Sequence, residues 1–252
     1  MHCRLIFLLL LLASNYVEAQ KLISNGFIAH TDTNTIHMWC MFKNIDSVSI
    51  KITDSNNQFI QSKTMYFDKS TSYKNFFPVN IIFENLSKNT NYNFYYSLDK
   101  INYTYLLQGK TDDNTLEDIS FLAGSCAFIG TGINKLVKPF NNLKIFDAMA
   151  KDTANLMLWL GDNVYYIFEY KSYKKQLKRN INVRHNEQLN HFISSKQQYS
   201  IWDDHDYGSN NSGSDFKNKN SSLNVFKQFW CNPENDSFNY YTFKKSDVQF
   251  LC

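Results

Sequence analysis

The run at residues 155–160, Asn-Leu-Met-Leu-Trp-Leu, constrains the fold of this 252-residue chain more than any other stretch. After its first residue it has no polar position, so a strand built from it tolerates water on neither face. A strand with one solvated face would alternate, whereas a continuous apolar run of this length belongs in a parallel sheet covered on both sides. Short apolar segments at 120–123, 198–202, 240–243 and 248–251 flank it, with helical spacing between several of them. In 143–151, Ile145, Phe146 and Met149 share one helical face, and in 222–230 Leu223, Phe226 and Trp230 do the same. Segment 172–196 reads as mostly helical and heavily charged. Strand–helix alternation of this kind specifies an α/β domain over residues 120–252.

Residues 20–112 follow a different grammar and read as an all-β sandwich. Strands are expected at 35–42, 47–53, 76–83, 92–98 and 103–108, separated by Asn, Asp, Ser and Lys clusters. The period of two is plain in Val48-Ser49-Ile50-Lys51-Ile52. In 85–92, a Leu, a turn, a Thr and a Tyr just before a strand look like the corner of a fibronectin type III sandwich. There the Tyr92 hydroxyl would tie the strand to its own connecting loop. Polar residues 113–119 read as a linker.

At the start, Arg4 precedes an apolar run from Leu5 to Ala13. Its length suits a signal-peptide core and is far below the roughly 20 residues that span a bilayer. Val17-Glu18-Ala19 then sets cleavage before Gln20, so residues 1–19 are expected to be a signal peptide and the product secreted or periplasmic. Export permits disulfides, but Cys40, Cys126, Cys231 and Cys252 are too scattered to form a dense framework. The 26 basic and 23 acidic residues leave a net charge of +3, which carries no nucleic-acid-binding signal.

Sites in α/β domains lie beyond the carboxyl ends of the strands. Three such ends run into Gly124-Ser125-Cys126, Gly161-Asp162-Asn163-Val164-Tyr165 and Asp203-Asp204-His205-Asp206. If the strands are parallel neighbours, Cys126, Asp162, Tyr165, Asp204 and His205 converge. Gathering like charges costs several kcal/mol unless cations neutralise them. Carboxylates and a phenolate suit an oxygen-loving metal, and a thiolate adds a softer ligand.

The order GSC, LWLGDNVYY, WDDHDYGSNN, FKQFWCNP resembles the alkaline phosphatase D family. These are secreted metal-dependent phosphoesterases of the calcineurin-like group, with an immunoglobulin-like or fibronectin-like N-terminal module. The resemblance implies a β-sandwich followed by a partial α/β metallophosphoesterase domain, cofactors Fe3+ and Ca2+, and a phosphate mono- or diester as substrate. It implies Asp162 as a bridging carboxylate, Tyr165 as a ferric tyrosinate, Cys126 as a thiolate ligand and Asp204 as the carboxylate on the second metal. His205 would contact the phosphate or protonate the leaving oxygen. Asn210 would be a second-metal ligand or phosphate contact, and Asp203 and Asp206 would hold their neighbours in place. Arg184 falls on a helix where relatives carry an Arg, its role open.

Relatives continue beyond the strand at 248–251 with further His ligands, so the resemblance implies that this chain is C-terminally truncated and supplies mainly the first of two sheets. A non-catalytic secreted binding protein with a degenerate phosphoesterase domain is the alternative. A thiol hydrolase using Cys126 and His205 would leave Asp162, Tyr165 and Asp204 without a role.

Overall fold

In the first part of the chain, alternating apolar residues drive strands to pair and bury one face. Seven strands result: β1 (Lys21–Thr31), β2 (Ile36–Lys43), β3 (Ser47–Thr53), β4 (Phe59–Tyr66), β5 (Phe76–Phe83), β6 (Asn91–Ser97) and β7 (Thr104–Lys110). This is a computed structural model that describes residues 19–113, 115, 118–130, 143–233 and 239–252. The expected signal peptide, except its last residue, and three residues of the expected linker lie outside the described residues. The strands form two sheets, β1-β2-β5 and β4-β3-β6-β7, antiparallel throughout. Their inner faces meet through Met38, Cys40 and Phe42 of β2, Ile50 and Ile52 of β3, Ile81 and Phe83 of β5, and Phe94 of β6. The Tyr92 hydroxyl accepts a hydrogen bond from the Ser87 amide at 2.8 Å, closing the corner expected from the sequence.

Two of these strands carried no readable pattern. β4 is an edge strand, mostly exposed, and its Gln61-Ser62-Lys63-Thr64 stretch has no apolar period. β1 is irregular, with register shifts against β2 on both sides of Gly26. Gly26 has φ +83°, and a Cβ there would lie 1.7 Å from the Trp39 carbonyl oxygen, so no side chain fits.

The second part begins with β8 (Phe121–Gly124) and continues through α1 (Lys144–Lys151), β9 (Leu156–Leu160), α2 (Tyr173–Arg184), α3 (Glu187–Ile193), β10 (Gln197–Ile201), α4 (Asp204–Tyr207) and α5 (Lys219–Phe229). It ends in an antiparallel hairpin, β11 (Thr242–Lys245) and β12 (Val248–Leu251). The sheet order is β10-β9-β8, all parallel, with β9 in the centre. One face packs Met157 and Trp159 against Phe146, Leu177, Ile181, Phe192 and Phe229 of the helices. The other packs Leu156 and Tyr199 against Phe243 and Phe250 of the hairpin, with the Tyr199 and Phe243 rings stacked 3.7 Å apart. Leu156, Met157 and Trp159 of β9 are therefore buried from both sides, while Leu160 at its carboxyl end stays exposed.

The charged segment 172–196 is not one helix. Asn186 breaks it, capping α3 by accepting from the Leu189 amide at 2.9 Å. Nor is α2 solvated throughout: Gln176, Arg179, Asn180 and Arg184 are all buried.

The two parts share a core. β2 is buried along nearly its whole length because Trp39 and Met41, on its outer face, join Phe27 and Ala29 in packing against the helices. Trp39 donates its indole N–H to the Gln228 carbonyl at 2.8 Å. The Arg184 guanidinium lies over Trp230, Trp39 and Phe27, with centroid distances of 4.3, 5.3 and 5.7 Å, and donates to the Phe229 carbonyl. Burial lowers its pKa to about 9. Arg184 therefore works at this seam.

Farther along the seam, Lys245 donates to the Thr31 carbonyl at 2.7 Å and pairs with Asp112 at 2.8 Å. His30 Nδ1 lies 2.9 Å from the Tyr199 hydroxyl. Burial, then the nearby Lys245 and His37 charges, lower the His30 pKa to about 3, against a smaller opposing effect of Asp32.

Lys245→Met removes the ammonium donor to the Thr31 carbonyl and the charge partner of Asp112, whose carboxylate keeps the Thr31 hydroxyl at 2.6 Å. We expect a loss of about 2–4 kcal/mol in urea unfolding, partly recovered by adding Asp112→Leu. His30 must stay neutral in the folded chain while it protonates freely when unfolded. Stability therefore falls as pH drops from 6.5 towards about 3. His30→Gln removes that part of the slope, read as the difference between the two pH–stability curves.

Candidate functional site

Parallel pairing sets Gly124 beside Trp159 and Ile201 beside Leu160, so β8, β9 and β10 end together at one edge of the sheet. The turns beyond them interlock. Gly161 has φ +97°, and a Cβ there would come within 2.6 Å of Asp203 Cβ, so only glycine lets the two turns approach this closely. Asp162 and Cys126 follow their strands with φ of +54° and +57°, a left-handed conformation that Asp tolerates and Cys seldom adopts. Such strain persists only where surrounding structure holds it. Here the Cys126 amide donates to the Gly161 carbonyl at 3.3 Å, and the Ala127 amide to the Asp162 carbonyl at 2.9 Å. The Tyr166 amide donates to the His205 carbonyl at 2.9 Å.

Three buried polar side chains fasten the loops from below. Asp206 accepts from the amides of Val164 at 2.7 Å, Asn163 at 3.1 Å and Asp203 at 3.1 Å. Burial raises its pKa to about 7, with the Asp162 charge adding to the rise and the three amides opposing it. Asn163 donates to the Ser200 hydroxyl at 3.0 Å and the Ile201 carbonyl at 2.7 Å. Arg179 donates to the carbonyls of Tyr165 and Ile129, both at 3.0 Å, gripping the segments that follow β9 and β8.

On this frame the residues singled out in the sequence meet. The Tyr165 hydroxyl donates to Asp162 Oδ2 at 2.9 Å, and Cys126 Sγ lies 3.7 Å from the same oxygen. Potential ligand atoms of Asp162, Asp204 and His205 all lie within 4.8 Å of one another. The Tyr165 ring sits over the His205 ring, centroids 4.4 Å apart, with Phe128 4.9 Å away on Tyr165. Asp204 accepts from the His205 amide at 2.9 Å and from the Asn211 amide. Asp203 is exposed and caps α4, accepting from the Asp204 amide at 2.8 Å. Asn210 is exposed, and it is the backbone of its neighbour Asn211 that reaches the cluster.

This donor set fits a cation. Asp162 Oδ1 and His205 Nδ1 are buried and have no hydrogen-bond partner among the described residues. Nor does a Lys or Arg among those residues form an ion pair with Asp162 or Asp204. Burial first, then the Cys126 and Asp162 side chains, push the Tyr165 phenol well above its ordinary pKa, so a phenolate there needs a positive charge beside it.

Asn163, Arg179 and Asn211 were not legible as site residues, although Arg179 offered a clue. In a chain whose basic residues are nearly all Lys, only Arg4, Arg179 and Arg184 are Arg, and the two described ones are both buried donors to main-chain carbonyls.

No protein-family model and no curated protein matches the chain. Among solved structures, that of PhoD is similar at a TM-score of 0.68 with 14% identity, over 95% of this chain and 52% of that one. The likeness shows a PhoD-like fold, and the chain spans about half the length of that structure. The sensor domain of the anti-sigma factor RsgI4 of Pseudobacteroides cellulosolvens matches 37% of the chain with 10% identity, covering 95% of that domain at a TM-score of 0.30. A fibronectin type III domain of human collagen alpha-1(XX) matches 40% with 7% identity, covering 92% of it at 0.28. Scores that low carry no weight.

Asp206→Ala leaves three amides unpaired, each costing about 1–3 kcal/mol. Asp203→Ala loses one exposed cap worth about 1 kcal/mol. Chemical denaturation of the two variants should separate them in that order, with Asp206→Ala the more damaging.

Proposed function

We propose that the chain is a metal-dependent phosphoric ester hydrolase, secreted by way of the signal peptide expected at residues 1–19. One observation carries the reading: two carboxylates and an imidazole converge within 4.8 Å, with Asp162 Oδ1 and His205 Nδ1 left unpaired. The PhoD-like fold and the sequence resemblance to the alkaline phosphatase D family support the same chemistry. No helix of the described residues is long and apolar enough to cross a membrane.

In this reading Asp162, Tyr165 and Cys126 would hold Fe3+, and Asp204 would hold Ca2+. When bound, the cations supply a lowered pKa for an attacking water and Lewis-acid stabilisation of charge on the phosphoryl oxygens. The chain does the rest. Asp206 and Asp203 keep Asp204 and His205 in place, and the Tyr165 ring orients the imidazole. His205 delivers a proton to the departing ester oxygen, a step typically contributing about 10²–10⁴-fold. Cys126 is exposed, and Asp204 and His205 are part-exposed, so the cluster is open to a phosphate on its outer side.

Metal content and turnover of 4-nitrophenyl phosphate and its bis(4-nitrophenyl) diester test the proposal. Asp162→Ala is expected to lose bound metal and turnover together. His205→Ala is expected to keep its metal and lose about 10²–10⁴-fold in turnover. Metal uptake by the unaltered chain without turnover of either ester would instead favour a non-catalytic binding protein.

A further inference from the structure

Beside the cluster lies a cleft of about 620 Å³, far more space than a phosphate group fills. Its walls include Tyr170, Lys171, Asn211, Ser212, Phe216 and Lys217. Tyr170 and Phe216 meet edge to face, centroids 6.1 Å apart and 72° between planes. Tyr170 and Lys171 belong to the short helical turn Glu169–Lys171, a few residues after Tyr165. The rest of the lining comes from the loop that follows α4, and the Asn211 amide rests on the Asp204 carboxylate. Asn211 thus belongs to both, lining the cleft and holding the Asp204 carboxylate with its amide, so the cleft adjoins the cluster. Two lysines face a single acid, Asp215, so the lining is net positive.

From this we infer that the cleft is a specificity site for phosphodiesters whose second ester group is a flat aromatic. The inference rests on the phosphoesterase reading and extends it. In hydrolysis, water releases a proton to solvent as its oxygen adds to phosphorus, the bond to one ester oxygen breaks, and that oxygen leaves with a proton from His205, which solvent then reprotonates. The other ester group stays attached and needs a place to lie. Tyr170 and Phe216 offer ring faces and edges to an aromatic group, and Lys171 and Lys217 attract the diester anion. A monoester has no second group and leaves the cleft unused.

The test compares bis(4-nitrophenyl) phosphate with methyl 4-nitrophenyl phosphate, which share a leaving group and differ only in the group retained. The metal-loaded chain is expected to favour the bis-aryl ester in kcat/KM. Tyr170→Leu and Phe216→Leu, which keep apolar bulk without a ring, should each cut that preference about 3–10-fold while metal content stays unchanged. Equal kcat/KM for the two esters, or a preference untouched by both variants, overturns the cleft assignment and leaves the phosphoesterase reading standing. If the chain takes up no metal and turns over neither ester, the phosphoesterase reading fails, and saturation-transfer NMR of bis(4-nitrophenyl) phosphate on the metal-free chain decides the cleft. Transfer to its ring protons that is lost in Phe216→Leu supports the cleft, and no transfer overturns it.

Discussion

One buried carboxylate holds the site end of this fold together. The three parallel strands bring their carboxyl ends to a common edge, but nothing in strand pairing fixes the turns beyond them. Asp206 does so by accepting from the backbone of Asn163 and Val164 after β9 and of Asp203 after β10. Its side chain thereby sets the spacing of Asp162, Asp204 and His205, although it is not one of the grouped ligand atoms. Gly161 permits the contact by leaving room for Asp203, and Arg179 extends the clamp to the segment after β8. Left-handed Cys126 and Asp162 then become tolerable because their carbonyl and amide partners are fixed on both sides.

What the sequence made legible follows from where burial leaves a simple pattern. The apolar run of β9 announced a covered parallel strand, and the strand ends announced the cluster, because acids and a His placed directly after apolar strands have few structural uses. The Tyr92 corner was legible because one hydrogen bond defines it. Where the pattern failed, burial was uneven or the environment was supplied from afar. β4 shows no period because it is an exposed edge, and β1 hides its period behind bulges around Gly26. The inner face of α2 is polar and so gives no apolar stripe to read, because Gln176, Arg179, Asn180 and Arg184 find their partners on other segments of the chain. No local spacing rule foresees a main-chain carbonyl 50 residues distant.

The seam explains why the first module does more than precede the second. A sandwich needs one apolar face per sheet, yet β2 is apolar on both. Its outward Trp39 fills the helical core and, with Phe27 and Trp230, houses a guanidinium that is charged and almost without water. Buried residues from both parts of the chain share one core across this seam.

That two-sided strand has a consequence for the order of events during synthesis. A chain emerging N-terminus first completes its sandwich while the helices that cover Phe27, Trp39 and Met41 are still unmade. For that interval a newly formed β-sheet shows an aromatic face to its surroundings, the kind of surface that recruits chaperones or clumps. Any organism making this protein has to shelter that face until the helices between Lys144 and Phe229 have been made.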